Sequence, residues 1–196
     1  ILNGQTIWLH SNYLIPASKV VIIDAGHGGT DPGAQGNGLR EKDITLDIAL
    51  RTQRLLKANG FTVIMTRTTD KTIRLAERTK LANNSKANMF VSIHVNAGGG
   101  TGIETWWQSN APEAQKSNAL AKNIQNELVK ETNVRDRGIK DGNLHVNRET
   151  NMPSALVEVG FIDNSNDAAK LKQERYRNQI ATGIVNGIKK YFQIFH

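Results

Sequence analysis

The chain has no cysteine among its 196 residues. That absence removes thiol nucleophiles, disulfides and thiolate metal sites together, so any metal must rest on His, Asp or Glu. No apolar run approaches the roughly 20 residues of a transmembrane helix, and no charged-then-apolar leader opens the sequence. As written the segment reads as soluble, but it opens on Ile1, and a signal or membrane anchor upstream stays open. Neither G-x-G-x-x-G nor G-x-x-x-x-G-K-[ST] occurs, which argues against a phosphate-cradling loop. Internal repeats, low-complexity tracts and coiled-coil heptads are missing too. Acidic residues are the minority, 18 against 25 Lys and Arg, for a formal net charge of +7. This balance favours a polyanionic setting: nucleic acid, an acidic membrane face or an anionic cell-wall polymer. The basic residues are scattered, from Arg40, Arg51 and Arg54 to the 170–177 stretch, without the aromatic interleaving of single-strand binders. Nucleic acid is therefore not expected as a partner.

What is present fits one domain with a sizeable core and a small N-terminal piece. In residues 1–18, Gly4 to His10 and Ser11 to Leu14 suggest short strands and a turn ending at Pro16. They resemble the closing strands of a bacterial SH3-like domain, a wall-binding module, with Ile15 to Ser18 as linker. From Lys19 the pattern becomes strand, loop, helix. Val20 to Asp24 is the continuous apolar run of a strand buried on both faces, and Ile44, Ile48, Leu55 and Leu56 recur at helical spacing behind Asp43 as cap. Gly60 stands where a helix C′ residue belongs, and Phe61 to Thr66 gives the next strand. Arg74 to Lys86 reads as a helix, Met89 to His94 as a buried strand, and Ile103 to Trp107 as a strand at the sheet edge. Asn110, Pro112 and Glu113 mark the start of an amphipathic helix carrying Leu120, Ile124 and Leu128. Ser154 to Val159 is a further strand, and Ile180, Ile184, Ile188 and Phe192 stripe a closing helix. The expectation is a single α/β domain over residues 19–196, with a mainly parallel, roughly six-stranded twisted sheet flanked by helices. Sites in such folds gather at the carboxyl ends of the strands.

Three chemistry-bearing residues fall at such ends. His27 follows β-like Val20 to Asp24 inside Gly26-His27-Gly28-Gly29, whose glycines permit unusual backbone and leave room beside the imidazole. His94 closes the Met89 strand. Glu158 stands among apolar residues in Ala155 to Phe161, where an ionised carboxylate costs several kcal/mol unless it is paired or has work to do. Glu41, in Arg40-Glu41-Lys42-Asp43, reads either as a carboxylate serving a helix N-terminus or as a ligand on a short tether. Two imidazoles and one carboxylate with an open position form a recurring catalytic zinc set, and a further carboxylate can act on the metal's water. Asp24 and Asn96 are candidates for hydrogen-bonding the histidines from behind, Asp24 equally for bonding the turn backbone. His145 reads either as bordering the substrate cleft or as an exposed loop histidine, the second being favoured because three better metal-ligand candidates are present. Trp106 and Trp107 are adjacent on a strand and point to opposite faces, so one at most could stack on substrate.

The segments Ile23 to Ala34, Glu41 to Asp43, Ser92 to Asn96 and Met152 to Phe161 resemble, in order and spacing, the zinc-dependent N-acetylmuramoyl-L-alanine amidases of the type 3 family, over Lys19 to Phe192. The resemblance implies hydrolysis of the amide between N-acetylmuramic acid and L-alanine of the peptidoglycan stem. It implies one zinc per chain on His27, Glu41 and His94, with Glu158 catalytic. It further implies a secreted autolysin at the cell wall or the outer face of the cytoplasmic membrane of a bacterium, acting as a monomer, with an activating or localising protein open as partner. Members with a self-inhibitory helix carry a long insertion where this chain has only Gln108 to Pro112, so no such plug is expected. A zinc peptidase cutting within the stem and a non-catalytic wall-binding module are the alternatives.

Overall fold

The structure, a computed structural model, describes residues 19–195. The expected wall-binding remnant at 1–18 lies outside the described residues. Val20–Ala25 (β1) is buried along nearly its whole length and pairs in parallel with Thr62–Met65 (β4) on one side and Met89–Asn96 (β5) on the other. Ser154–Phe161 (β8) lies parallel to β5, while Ile103–Trp107 (β6) runs antiparallel to β8 and carries Asp136–Asp141 (β7) parallel to itself. The six-stranded order is β4-β1-β5-β8-β6-β7. A two-residue hairpin, Gln35–Gly36 (β2) and Leu39–Arg40 (β3), turns at Asn37 and Gly38, both at positive φ, as its Asn-Gly sequence dictates.

The helices divide unequally between the faces. Glu41–Ala58 (α1), Ala114–Thr132 (α3) and Glu174–Phe195 (α6) pack on one side, where Val21, Ile23, Val91, Ile93, Val157, Ile48, Ile124 and Ile184 belong to the main core. Leu75–Asn83 (α2) and the short His145–Glu149 (α4) cover part of the other, over Ile22, Phe90 and Leu156. Because successive side chains alternate across a strand, Asp24, Ser92, His94, Glu158 and Glu104 share this thinly covered face.

Some boundaries differ from the sequence reading. β6 is internal rather than at the edge; β7 takes the edge, and its Asp136, Arg137, Lys140 and Asp141 kept it from reading as a strand. α1 begins at Glu41 rather than near Ile44, so Asp43 lies inside the first turn, ion-paired to Arg40, instead of capping it. α3 begins at Ala114, after Pro112. The connection from β6 to α3 is residues 108–113 and contains no helix. Ser165–Leu171 (α5) is an added helix, capped by the Asn164 side chain accepting from Asn166 N and Asp167 N.

Candidate metal centre

Where β1 gives way to its loop, the backbone enters the left-handed region at His27, with φ of 57°. A non-glycine residue there costs of order 1–3 kcal/mol and persists only where its surroundings hold it. Two buried arginines do so. Arg78 reaches from α2 to donate to Ala25 O at 2.7 Å and His27 O at 2.9 Å, and Arg67 donates to Ala25 O at 3.0 Å and Gly26 O at 2.9 Å. Arg67 also reaches Lys42 O at 2.8 Å, which ties the loop to the start of α1. Asp24 is fully buried and accepts from Arg78 at 2.5 Å, Thr66 Oγ1 at 2.6 Å and Ser92 Oγ at 2.7 Å. It touches neither imidazole; it serves the histidine turn through Arg78, close to the backbone-bonding role weighed for it. Apolar periodicity carries no trace of these arginines, so the sequence reading missed them.

Glu41 enters the site because the hairpin hands the chain to α1 there. Its Oε2 accepts from Ala34 N at 2.8 Å and its Oε1 from Val95 N at 2.9 Å. The same carboxylate meets His27 Nε2 at 3.2 Å and His94 Nδ1 at 2.9 Å. The ligand-capable atoms of His27, Glu41 and His94 all lie within 4.8 Å of one another. His27 Nδ1 is hydrogen-bonded to Asp31 Oδ2 at 2.7 Å, which leaves Nε2 turned toward Glu41. A carboxylate holding the far nitrogen of a ligating imidazole is the usual way its tautomer is fixed. Asp31 therefore fills the supporting role assigned to Asp24 and Asn96, four residues beyond the histidine it orients.

The glycines serve the protein's own groups rather than ligand clearance. A Cβ on Gly26 would stand 2.5 Å from the His94 ring, and one on Gly33 would stand 2.6 Å from Glu41 Oε2 and 2.7 Å from the His27 ring. Gly28 and Gly29 pack instead against Arg67, Lys71 and Thr72.

Electrostatics sorts the carboxylates. Burial alone would raise the pKa of Glu41, but hydrogen bonds from His27, His94 and Val95 N–H outweigh it and hold the carboxyl well below the usual range. Burial alone would lower His27, yet Glu41 and then Asp31 raise it to about 9 in the metal-free chain. Glu158 stands opposite His94 in the β5–β8 register and opposite Glu104 in the β8–β6 register. Its residue is only half-buried, but Oε2 is enclosed without a hydrogen-bond partner among the described residues. Burial pushes this carboxyl up to about 7; His94 opposes the shift, while Glu41 and Glu104 add to it.

The Asn96 side chain is hydrogen-bonded to neither histidine. Its Nδ2 donates to Glu104 at 2.8 Å. His145 is half-buried at the start of α4, with Nε2 enclosed, rather than exposed in a loop. Trp107 packs on the main core and Trp106 on the smaller cluster, its Nε1 donating to Glu104 at 3.1 Å. A cleft of about 620 Å³ opens beside the trio, walled by His27, His94, Arg74, Leu75, His145 and Leu156.

The arrangement suits a divalent cation of zinc's preferences: two imidazoles and an ionised carboxylate, no sulfur, and a second carboxylate in reach. Residues 21–190 match the family model described as N-acetylmuramoyl-L-alanine amidase. The chain is 44% identical over 177 residues to N-acetylmuramoyl-L-alanine amidase CwlM of Bacillus licheniformis, covering 89% of this chain and 69% of that one. Among solved structures, the N-acetylmuramoyl-L-alanine amidase from Clostridium difficile 630 superposes with a TM-score of 0.87 at 40% identity, covering 91% of this chain and 99% of that one. The CwlD amidase from Clostridioides difficile, solved in complex with the GerS lipoprotein, superposes at 0.85 with 35% identity, covering 90% of this chain and all of that one (100%).

Proposed function

Because the chain belongs to the N-acetylmuramoyl-L-alanine amidase family, we propose that it is a zinc-dependent peptidoglycan hydrolase that cleaves the amide between N-acetylmuramic acid and the stem's L-alanine, with Glu158 as general base and acid. The observation that carries the zinc assignment is the convergence of His27, Glu41 and His94 within 4.8 Å, with Glu158 next in register to His94.

His27, Glu41 and His94 would hold one zinc ion, which when bound supplies Lewis acidity to the amide carbonyl and lowers the pKa of a water to about 7. Asp31 keeps His27 Nδ1 occupied so that Nε2 serves as ligand. Glu41 stays ionised through its two backbone N–H donors, so ligation costs it no proton. Glu158 sits where burial matches its proton affinity to neutral pH. It takes the proton from the attacking water and delivers it to the departing alanine nitrogen, so that cleavage yields a lactyl carboxylate and a free peptide amine. The enclosed Oε2, lacking a hydrogen-bond partner among the described residues, is the atom suited to that transfer. The place of action is the bacterial cell wall outside the cytoplasm, and the GerS complex of the related CwlD supports a localising or activating protein as partner.

The test is mass spectrometry of peptidoglycan digested by the zinc-loaded chain alone. Intact stems with a free L-alanine amino terminus are expected. Shortened stems would replace this reading with a stem peptidase, and undigested wall would contradict an intrinsically active enzyme.

A further inference from the structure

Across the sheet from His94, the register runs through Glu158 to Glu104, and there the polar row ends on a cation. Arg137 of β7 donates from Nε to Glu104 Oε2 at 2.6 Å. Glu104 is 3% exposed, and its other oxygen is held by Asn96 Nδ2 at 2.8 Å and Trp106 Nε1 at 3.1 Å. The carboxylate is thus fixed from both sides and cannot swing. The Arg137 guanidinium also lies over the Phe161 ring, 4.9 Å from its centroid, and that ring is backed by Gly100, where a Cβ would come within 2.4 Å. Nε and the π-face are therefore spoken for. The terminal nitrogens Nη1 and Nη2 make no hydrogen bond among the described residues, and the side chain is 29% exposed.

A guanidinium locked at Nε and stacked on an aromatic ring presents its outer edge as a rigid two-pronged donor, the geometry that matches a carboxylate. A merely structural arginine would spend its terminal nitrogens on the protein, as Arg78 does on Asp24 and two carbonyls. The guanidinium lies one to two strand spacings, about 5–10 Å, past Glu158 on the same face. An extended peptide covers that span in two to three residues.

We propose that Arg137 is a specificity-determining residue, whose outer guanidinium edge binds a free carboxylate of the stem peptide on the leaving side of the scissile amide. Resting on the amidase reading, this sets the polarity of the groove: the stem runs from the metal trio over Glu158 toward β7. The nearest candidate is the α-carboxylate left free by a γ-linked glutamate immediately after L-alanine. Replacing it with the α-amide removes the charge and one acceptor, so amidated walls should be the poorer substrates.

The experiment compares two synthetic muropeptides that differ only in carboxylate against amide at that position. The unaltered chain should show a KM about tenfold lower for the carboxylate form, the discrimination expected of one charge-assisted pair. Arg137→Gln should raise KM for that form about tenfold, leave kcat within about twofold, and make the two substrates equivalent. Because this change strands the buried Glu104 charge, the Glu104→Gln/Arg137→Gln pair is measured beside it, and the same loss of preference is expected. Calorimetric binding of both muropeptides to the Glu158→Gln chain reads the same preference without turnover. An absence of hydrolysis would therefore overturn the amidase reading while the carboxylate site is still judged. Equal handling of the two substrates by the unaltered chain, or an equal loss on both in Arg137→Gln, would overturn the proposal.

Discussion

The two faces of the sheet are built from the same strands and do opposite things. On the side of α1, α3 and α6, β5 shows Met89, Val91, Ile93 and Val95, all in the main core. On the side of α2 and α4 the alternate residues of that strand are Phe90, Ser92, His94 and Asn96. One face is closed by long amphipathic helices and carries no titratable group from β1 or β5; the other is left thinly covered and carries Asp24, His94, Glu158 and Glu104. The pleat thus separates the main core from the residues proposed to do the chemistry, and the two should respond to mutation independently, Asp24 excepted.

The largest expected effect lies on the thin face. His94→Ala should abolish zinc binding and turnover together, while the thermal midpoint of the metal-free chain shifts little; metal analysis and calorimetry check both halves. Asp24→Ala breaks the comparison on purpose, because Asp24 is structural although it shares the reactive face. It leaves Arg78 as an uncompensated buried charge and should cost about 3–5 kcal/mol of stability in urea unfolding. On the packed face, Ile48→Ala should cost about 2–5 kcal/mol with kcat/KM of the folded fraction unchanged.

The smallest effect is in pH. His27 is raised from 6.5 to about 9 and Glu158 from 4.5 to about 7. Groups raised on folding contribute stability that is present below their unfolded values and is lost as pH rises through the folded ones. Glu41, held low, acts in the opposite sense and withdraws its contribution only as pH falls below the ordinary carboxylate range. The melting temperature of the metal-free chain should therefore fall between about pH 5 and pH 9. If zinc takes the place of the His27 proton as proposed, it should flatten the upper part of that drift.

Much of this division was legible in the sequence because it rests on periodicity. The apolar run of Val20 to Asp24 and the histidine ending Met89 to His94 follow from strand burial alone, and the lone carboxylate in Ala155 to Phe161 stands out because an unpaired charge there is costly. Elements held by polar pairing were not legible. β7 is mostly charged, with Ile139 its one large apolar residue, and Arg67 and Arg78 act on carbonyls 42 to 53 residues away. The supporting partner of His27 proved to be Asp31 rather than Asp24, because the left-handed turn at His27 folds the chain back on itself. An Asp four residues after a histidine in a glycine loop was the available sign. Helix starts slipped for a related reason: α1 opens at Glu41 because the Asn37-Gly38 hairpin, not Asp43, sets where the chain turns into the helix.

The central claim is that Glu158 moves the proton while His27, Glu41 and His94 hold the metal. Zinc content and muropeptide turnover measured on the same preparation of Glu158→Ala test it most directly. One zinc per chain retained, with turnover down on the order of 10³-fold, is the expected result. Loss of the zinc along with activity, or activity surviving with the zinc in place, would contradict it.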